Sequence, residues 1–153
     1  MTKIALITGA SRGLGRNTAL NIAREGSDVI ITYHSREESA RAAVAEIVAM
    51  GRRAIALQLD VGDVSAFKPF AEHLRTGLRK TWQRDTFDHL VNNAGHGESK
   101  SLAEDHSQHV RRLRSEGETN SKLIPAIRDV QRHHAVNPGQ RQQQRSRGKT
   151  NEQ

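Results

Sequence analysis

Three glycines fall within seven residues near the start of this 153-residue chain: "LITGASRGLG", residues 6–15, sets Gly9, Gly13 and Gly15 behind an apolar run. Glycine supplies the backbone freedom that a sharp strand-to-helix turn needs, and its missing side chain lets a ligand approach the main chain. A helix starting there offers unpaired N–H groups and the positive end of its dipole, which suit a pyrophosphate. The same spacing also serves a tight turn that binds nothing, so the motif has to be read with its surroundings. Two other stretches carry groups for a ligand: Asp60, closing "ALQLD", and the turn "NNAG" at residues 92–95.

The strands and helices around these groups follow from hydrophobic period. "KIALIT", residues 3–8, is β-branched and apolar enough for a strand buried on both faces. Residues 14–25 read as a helix with Ala19, Ile22 and Ala23 on one face, and Gly26 as its stop. "DVIITY", residues 28–33, is a second strand. Ser35 and Glu38 have capping-box spacing and open a helix through Met50, with Ala40, Ala43, Val44 and Ile47 as its stripe and Gly51 as its end. A third strand spans residues 53–60. A helix over residues 64–82 puts Phe67, Phe70, Ala71, Leu74 and Leu78 on one face, and "FDHLVNNAG", residues 87–95, supplies a fourth strand and a turn.

This β-α-β-α-β-α-β pattern implies a parallel sheet with right-handed crossovers. The expected fold class is α/β, a Rossmann-type doubly wound sheet truncated to about four strands in the order 3-2-1-4. Ligands bind outside the carboxyl ends of such strands, at the switch point between strands 1 and 4. The glycine turn, Asp60 and the Asn92–Gly95 turn all fall at those ends, and that convergence favours a binding site over an empty turn.

Composition bounds the rest. There is no cysteine, hence no disulfide framework and no thiolate metal site. No apolar run approaches the roughly 20 residues of a membrane span, and no secretory core precedes the first strand, so a soluble cytoplasmic protein is expected. Residues 1–100 carry 14 Lys and Arg against 11 Asp and Glu, whereas residues 101–153 carry 10 against 6, so the basic excess belongs mostly to the final third. Residues 101–130 have patchy periodicity, with a short helix expected around 121–130. From Gln131 to Gln153 only Ala135 and Val136 are apolar, too little to offset ordering entropy, so this basic tail is expected to be disordered.

The first hundred residues resemble the short-chain dehydrogenase/reductase family, and its ketoacyl-reductase-like branch in particular. "TGASRGLG", residues 8–15, is similar to that family's TGxxxGxG cofactor turn, "LDV", 59–61, to its adenine-side acid, and "NNAG", 92–95, to its turn after strand 4. The resemblance implies an NAD(P)-dependent oxidoreductase of small alcohols and ketones, usually a homotetramer. It implies that Gly9, Ser11, Arg12, Gly13, Leu14 and Gly15 cradle the pyrophosphate and adenosine ribose. Asp60 and Val61 would flank the adenine, and Asn92, Ala94 and Gly95 would line the nicotinamide ribose. Asp60 also reads as a cap for the next helix, and the asparagines as hydrogen bonding within their own turn. Cofactor choice is argued at the end of strand 2. An NAD site usually has an acid there for the ribose 2′-hydroxyl, but this chain reads "TYHSR", residues 32–36. Arg12, Ser35 and Arg36 suit a 2′-phosphate, so NADP is expected ahead of NAD.

The family's catalysis uses a Tyr-x-x-x-Lys pair, a preceding serine and an asparagine on the fourth helix. The only tyrosine here is Tyr33, Asn120 lacks the surrounding pattern, and Ser146 lies in the basic tail. No catalytic residue is therefore assigned, and no turnover of ketones is expected. Two readings of the tail stay open. One is a natural short variant that only binds dinucleotide. The other is a full reductase displaced in frame near Glu104: with permitted codons, "DHSQHVRRLR" read one base along gives Thr-Thr-Pro-Ser-Thr-Phe-Asp-Ala-Phe, similar to a Thr-Thr…Phe-Asp stretch in the family. A strand 4 without an outer neighbour would expose an apolar edge and favour aggregation. Nucleic acid is not the expected partner, because the basic tail has no aromatic residue for stacking on bases. His106, His109, His133 and His134 have no metal-ligand spacing, and no metal is assigned.

Overall fold

The computed structural model describes residues 1–95 and 122–130. In chain order these are β1 (Ile4–Ile7), α1 (Gly13–Arg24), β2 (Asp28–Tyr33), α2 (Glu37–Ala49), β3 (Ala54–Gln58), a 3-10 turn (Val64–Ala66), α3 (Phe67–Trp82) and β4 (His89–Val91). A short helix, α4, spans residues 122–127 and runs into a 3-10 turn at Arg128–Val130. The features expected for residues 96–121 and 131–153, including the basic tail and its histidines, lie outside the described residues. Among the described residues no helix is long and apolar enough to cross a membrane.

The sheet is wholly parallel in the order β3-β2-β1-β4, as the sequence predicts. Ile4 pairs with Asp28 across β1 and β2, and Ala5 with His89 across β1 and β4. Side chains alternate between the two faces. Ile4, Leu6 and Ile30 enter one core with Phe67, Phe70, Leu74 and Leu78 of α3, whereas Ala5, Ile7, Val29 and Ile31 enter another with Ala19 and Ala23 of α1 and Ala40, Ala43 and Ile47 of α2. Both faces are covered, which is why β1 and residues 29–31 of β2 read as unbroken apolar runs. Ile22 and Val44 pack at the margin of the second core, half-buried. On the α3 side, Leu123 and Ile127 of α4 and Val130 are fully buried, and the Phe87 N–H donates to the Val130 carbonyl at 3.0 Å.

The amino ends of the strands are closed by carboxylates. Asp28 Oδ1 accepts from the Arg53 N–H at 2.9 Å, and its Oδ2 accepts from Arg53 Nε at 3.1 Å and from Trp82 Nε1 at 2.7 Å. The Arg53 guanidinium lies 5.8 Å from the Trp82 ring centre. Asp88 Oδ2 accepts from the Ile4 N–H at 2.9 Å and from Arg84 Nη2 at 3.1 Å. These bonds bind β1, β2, β3, β4 and α3 together at one end of the sheet and leave the carboxyl end for the groups singled out above.

One local expectation fails. α2 starts at Glu37 with Arg36 as its N-cap and no side-chain capping bond, so the Ser35–Glu38 capping box does not form. Ser35 stands one residue too early to cap, and Glu37 pairs with Arg41 one turn on, at 2.6 Å. Glu37 and Glu38 still occupy the first turn, where they favour the helix dipole.

Candidate functional site

The turn after β1 is held from both sides. On the β2 side the Gly9 N–H donates to Thr32 Oγ1 at 3.1 Å, and the Ala10 N–H to the Thr32 carbonyl at 2.9 Å. On the β4 side Thr8 Oγ1 accepts from the Asn93 and Ala94 N–H groups at 3.0 and 2.9 Å. Asn93 Nδ2 also donates to the carbonyls of Thr8 and Gly9, at 3.0 and 3.2 Å. Thr8 and Thr32 are fully buried, and these bonds satisfy polar groups that would otherwise be costly there.

Each of the three glycines has a different reason. Gly9 has φ +65°, and a Cβ on it would lie 2.8 Å from Ala94 Cα. A Cβ on Gly15 would lie 2.3 Å from Asn93 Nδ2 and 2.6 Å from the Gly9 carbonyl oxygen. Both are therefore demanded by the protein's own packing. Gly13 has φ +57° but would meet nothing within 4 Å, so its lack of a side chain leaves open space at the head of α1. Arg12, the N-cap of α1, is extended and makes no side-chain capping bond, and no acid occupies the first turn. The positive end of the α1 dipole is thus uncompensated by a first-turn acid or a cap, unlike that of α2.

Beside this turn lies a cavity of about 560 Å³ at the carboxyl ends of the strands. Of the residues singled out in the sequence, Gly9, Ser11, Arg12, Ser35, Arg36, Asp60, Val61, Ala94 and Gly95 line it together, although they come from four separate loops. Gly13, Leu14, Gly15 and Asn92 are not among its lining residues. Leu14 is 76 % exposed, and Asn92 is also exposed. The asparagine that turns inward is Asn93, half-buried and engaged with Thr8 and Gly9.

Sequence reasoning also passed over His34, Leu59, Gly62 and Asp63, which line the same cavity. His34 follows β2 immediately, and its Nε2 lies 3.5 Å from Asp60 Oδ2. Asp60 Oδ1 accepts from the Gly62 N–H at 2.8 Å, so Asp60 shapes its own turn and does not cap the next helix. The cap is Asp63, whose Oδ1 accepts from Ser65 Oγ at 2.6 Å and from the Ser65 N–H at 2.9 Å. These Ser65 bonds hold the Asp63 carboxyl below its ordinary value of 3.8. A polar residue inside an otherwise apolar strand end was the available signal for Thr8 and Thr32, because such a residue must find a partner when buried.

The arrangement suits an elongated, anionic, partly planar ligand. The uncapped helix end with Arg12 takes negative charge, Arg36 and Ser35 add a second anion-binding corner, and Leu59 and Val61 offer an apolar wall beside Asp60. Among the described residues no three His, Cys, Asp or Glu side chains cluster as a metal site.

Known proteins resemble this chain in sequence and in fold. A family model described as short chain dehydrogenase matches residues 3–120. A 3-oxoacyl-[acyl-carrier-protein] reductase FabG of Staphylococcus aureus is 43 % identical over 95 residues, 62 % of this chain and 36 % of that one. A short chain dehydrogenase from Burkholderia cenocepacia solved in complex with NADP superposes with a TM-score of 0.69 at 34 % identity, covering 84 % of this chain and 51 % of that one. The promiscuous reductase LugOII, which catalyses keto-reduction at C1 in lugdunomycin biosynthesis, superposes with a TM-score of 0.73 at 32 % identity, covering 84 % and 52 %. The chain spans about a third of the length of the curated relatives it matches and about half of the solved ones.

Proposed function

Because this chain belongs to the short-chain dehydrogenase family, we propose that its described residues form a cradle for NADP. The observation that carries this is the uncapped, acid-free start of α1, with open space at Gly13 and, just before it, Arg12, which lines the cavity. In this reading Gly9, Ser11, Arg12, Gly13, Leu14 and Gly15 surround the pyrophosphate and adenosine ribose. Asp60 and Val61 stand at the adenine, and Asn92, Ala94 and Gly95 at the nicotinamide ribose. Asn93 holds the turn that presents them.

The preference for NADP over NAD rests on the end of β2. Tyr33, His34, Ser35 and Arg36 follow one another there with no carboxylate among them, and Arg12 and Arg36 line one cavity. The Burkholderia cenocepacia relative was solved with NADP, which favours the same reading. The bound nucleotide supplies a hydride. The chain's residues bind it, keep its phosphates against N–H groups and guanidinium, and hold its adenine end against Leu59 and Val61.

Reduction of a small carbonyl, or oxidation of an alcohol, is the activity we propose for the full-length relatives' architecture in the cytoplasm. These 153 residues hold one tyrosine, Tyr33, with Glu37 and not lysine four positions on. Tyr33 belongs to β2 and pairs with Gln58. We therefore propose that this stretch binds dinucleotide without turning over ketones. Thermal melting tests the first half: NADPH at about a hundred times its Kd adds about 2.7 kcal/mol to stability. No shift with NADPH or NADH would remove the cradle. Ketone-dependent NADPH oxidation by the purified chain would remove the second half.

A further inference from the structure

We propose that Thr32 is a positioning residue for the dinucleotide: its buried hydroxyl sets the glycine turn in its binding shape before the pyrophosphate arrives. This rests on the dinucleotide reading above. Three polar residues are buried among the described residues: Thr8, Asp28 and Thr32. Thr8 latches the turn after β4, and Asp28 closes the amino ends of the strands. Thr32 lies near the carboxyl end of β2, on the same face as Ile30, and is not among the residues that line the cavity.

Thr32 receives two successive N–H groups of the turn. The Gly9 N–H donates to its Oγ1 at 3.1 Å, and the Ala10 N–H to its carbonyl at 2.9 Å. Any residue at this place in β2 has the carbonyl, but the bond to Gly9 needs a side-chain acceptor. Both N–H groups are thereby used within the protein. The pyrophosphate is left to the residues that follow, Ser11 and Arg12 at the cavity and the head of α1.

The β4 side of the turn does not replace this bond. Thr8 Oγ1 takes the N–H groups of Asn93 and Ala94, and Ala94 stands so close that a Cβ on Gly9 would lie 2.8 Å from its Cα. Gly9, at φ +65°, has no side chain to steady its own backbone. Its conformation is therefore set by packing against Ala94 on one side and by the Thr32 hydroxyl on the other. Without the hydroxyl the Gly9 N–H loses its partner, and glycine's freedom lets the turn shift to find another. Ser11 and Arg12 follow directly on this turn, so the cavity wall shifts with it. A turn held in its binding shape beforehand lowers the ordering cost of taking up the ligand.

Thr32→Val keeps the shape of the side chain and removes the acceptor, whereas Thr32→Ser keeps the acceptor. The test is titration calorimetry of the whole chain with NADP and with adenosine 2′-monophosphate, which has no pyrophosphate. In Thr32→Val, NADP weakens about tenfold, the size of one net hydrogen bond, and the monophosphate is nearly unchanged. Thr32→Ser restores NADP. A threonine that only stabilises the fold would lower the melting temperature and leave the ratio of the two dissociation constants as in the native chain. That result overturns the role of Thr32 and leaves the cradle standing. Where Thr32→Val does not fold, or the monophosphate binds too weakly to titrate, amide exchange in the native chain decides. The Gly9 N–H is protected equally with and without NADP if Thr32 holds the turn beforehand, and protection that arises only with NADP overturns the proposal. Binding of neither nucleotide by the native chain overturns the cradle, and this inference with it.

Discussion

Thr8 and Asn93 are joined by two hydrogen bonds, both donated by Asn93: its N–H to Thr8 Oγ1 and its Nδ2 to the Thr8 carbonyl, each at 3.0 Å. The pair latches the turn after β4 to the end of β1, across 85 residues of chain. The cavity wall on that side therefore depends on one hydroxyl and one carboxamide, neither of which has to touch a ligand to matter.

Thr8→Val keeps the shape of the side chain and removes the acceptor shared by the Asn93 and Ala94 N–H groups. A loss of about 2–3 kcal/mol is expected, measured as a lowered urea midpoint, because buried donors lose their partner. Thr8→Ser restores most of it. Equal midpoints for Thr8→Val and the native chain would show that the latch carries no stability.

The two kinds of glycine separate by assay. Gly15→Ala drives a methyl into Asn93 and the Gly9 carbonyl, so it lowers stability by about 1–3 kcal/mol. Gly13→Ala meets no protein atom within 4 Å, and its cost of about 1–2 kcal/mol comes from φ +57° alone. Its main effect is expected on NADPH affinity, by filling the space at the head of α1. Melting and calorimetry on both variants distinguish the two.

Acid sensitivity is expected to pass through Asp88. Burial raises its carboxyl pKa, but the Ile4 N–H, Arg84 and Lys3 outweigh burial and leave it below the ordinary value of 3.8. A carboxyl lowered in the folded state adds stability above its unfolded value, and that stability is lost as pH falls through the folded one. Denaturation midpoints should therefore drop below about pH 4, and less steeply in Asp88→Asn. Equal slopes for the two proteins would remove Asp88 from the account.

Arg36→Ala should weaken NADP about fivefold and leave NAD nearly unchanged, as expected of an exposed guanidinium facing one added phosphate. Equal losses for both nucleotides would place Arg36 elsewhere along the ligand.

Ile127→Ala tests whether α4 seals the α3 side of the sheet. Ile127 is fully buried among the α3 core residues, so a loss of about 2–5 kcal/mol is expected by chemical denaturation. A change under about 0.5 kcal/mol is the value for a surface position and would detach the segment from the core.

The alternation of strands and helices, the order β3-β2-β1-β4 and the convergence of three motifs at one end were legible because they follow from local period and glycine placement. Element ends were legible to within a few residues: β2 matches residues 28–33, while β3 shortens from 53–60 to Ala54–Gln58. The capping box was misread because Ser35 and Glu38 have the right spacing but stand in the wrong register to the first helical residue.

The α/β alternation and a glycine turn at the carboxyl ends of the strands were readable along the chain, since periodicity and backbone freedom are properties of neighbouring residues. The tertiary structure alone decided that Asn93 and not Asn92 turns inward, that Asp63 caps while Asp60 meets His34, and that α4 covers α3. Each of these choices is made by contacts between segments that the folded sheet brings together, and spacing along the chain carries no record of them.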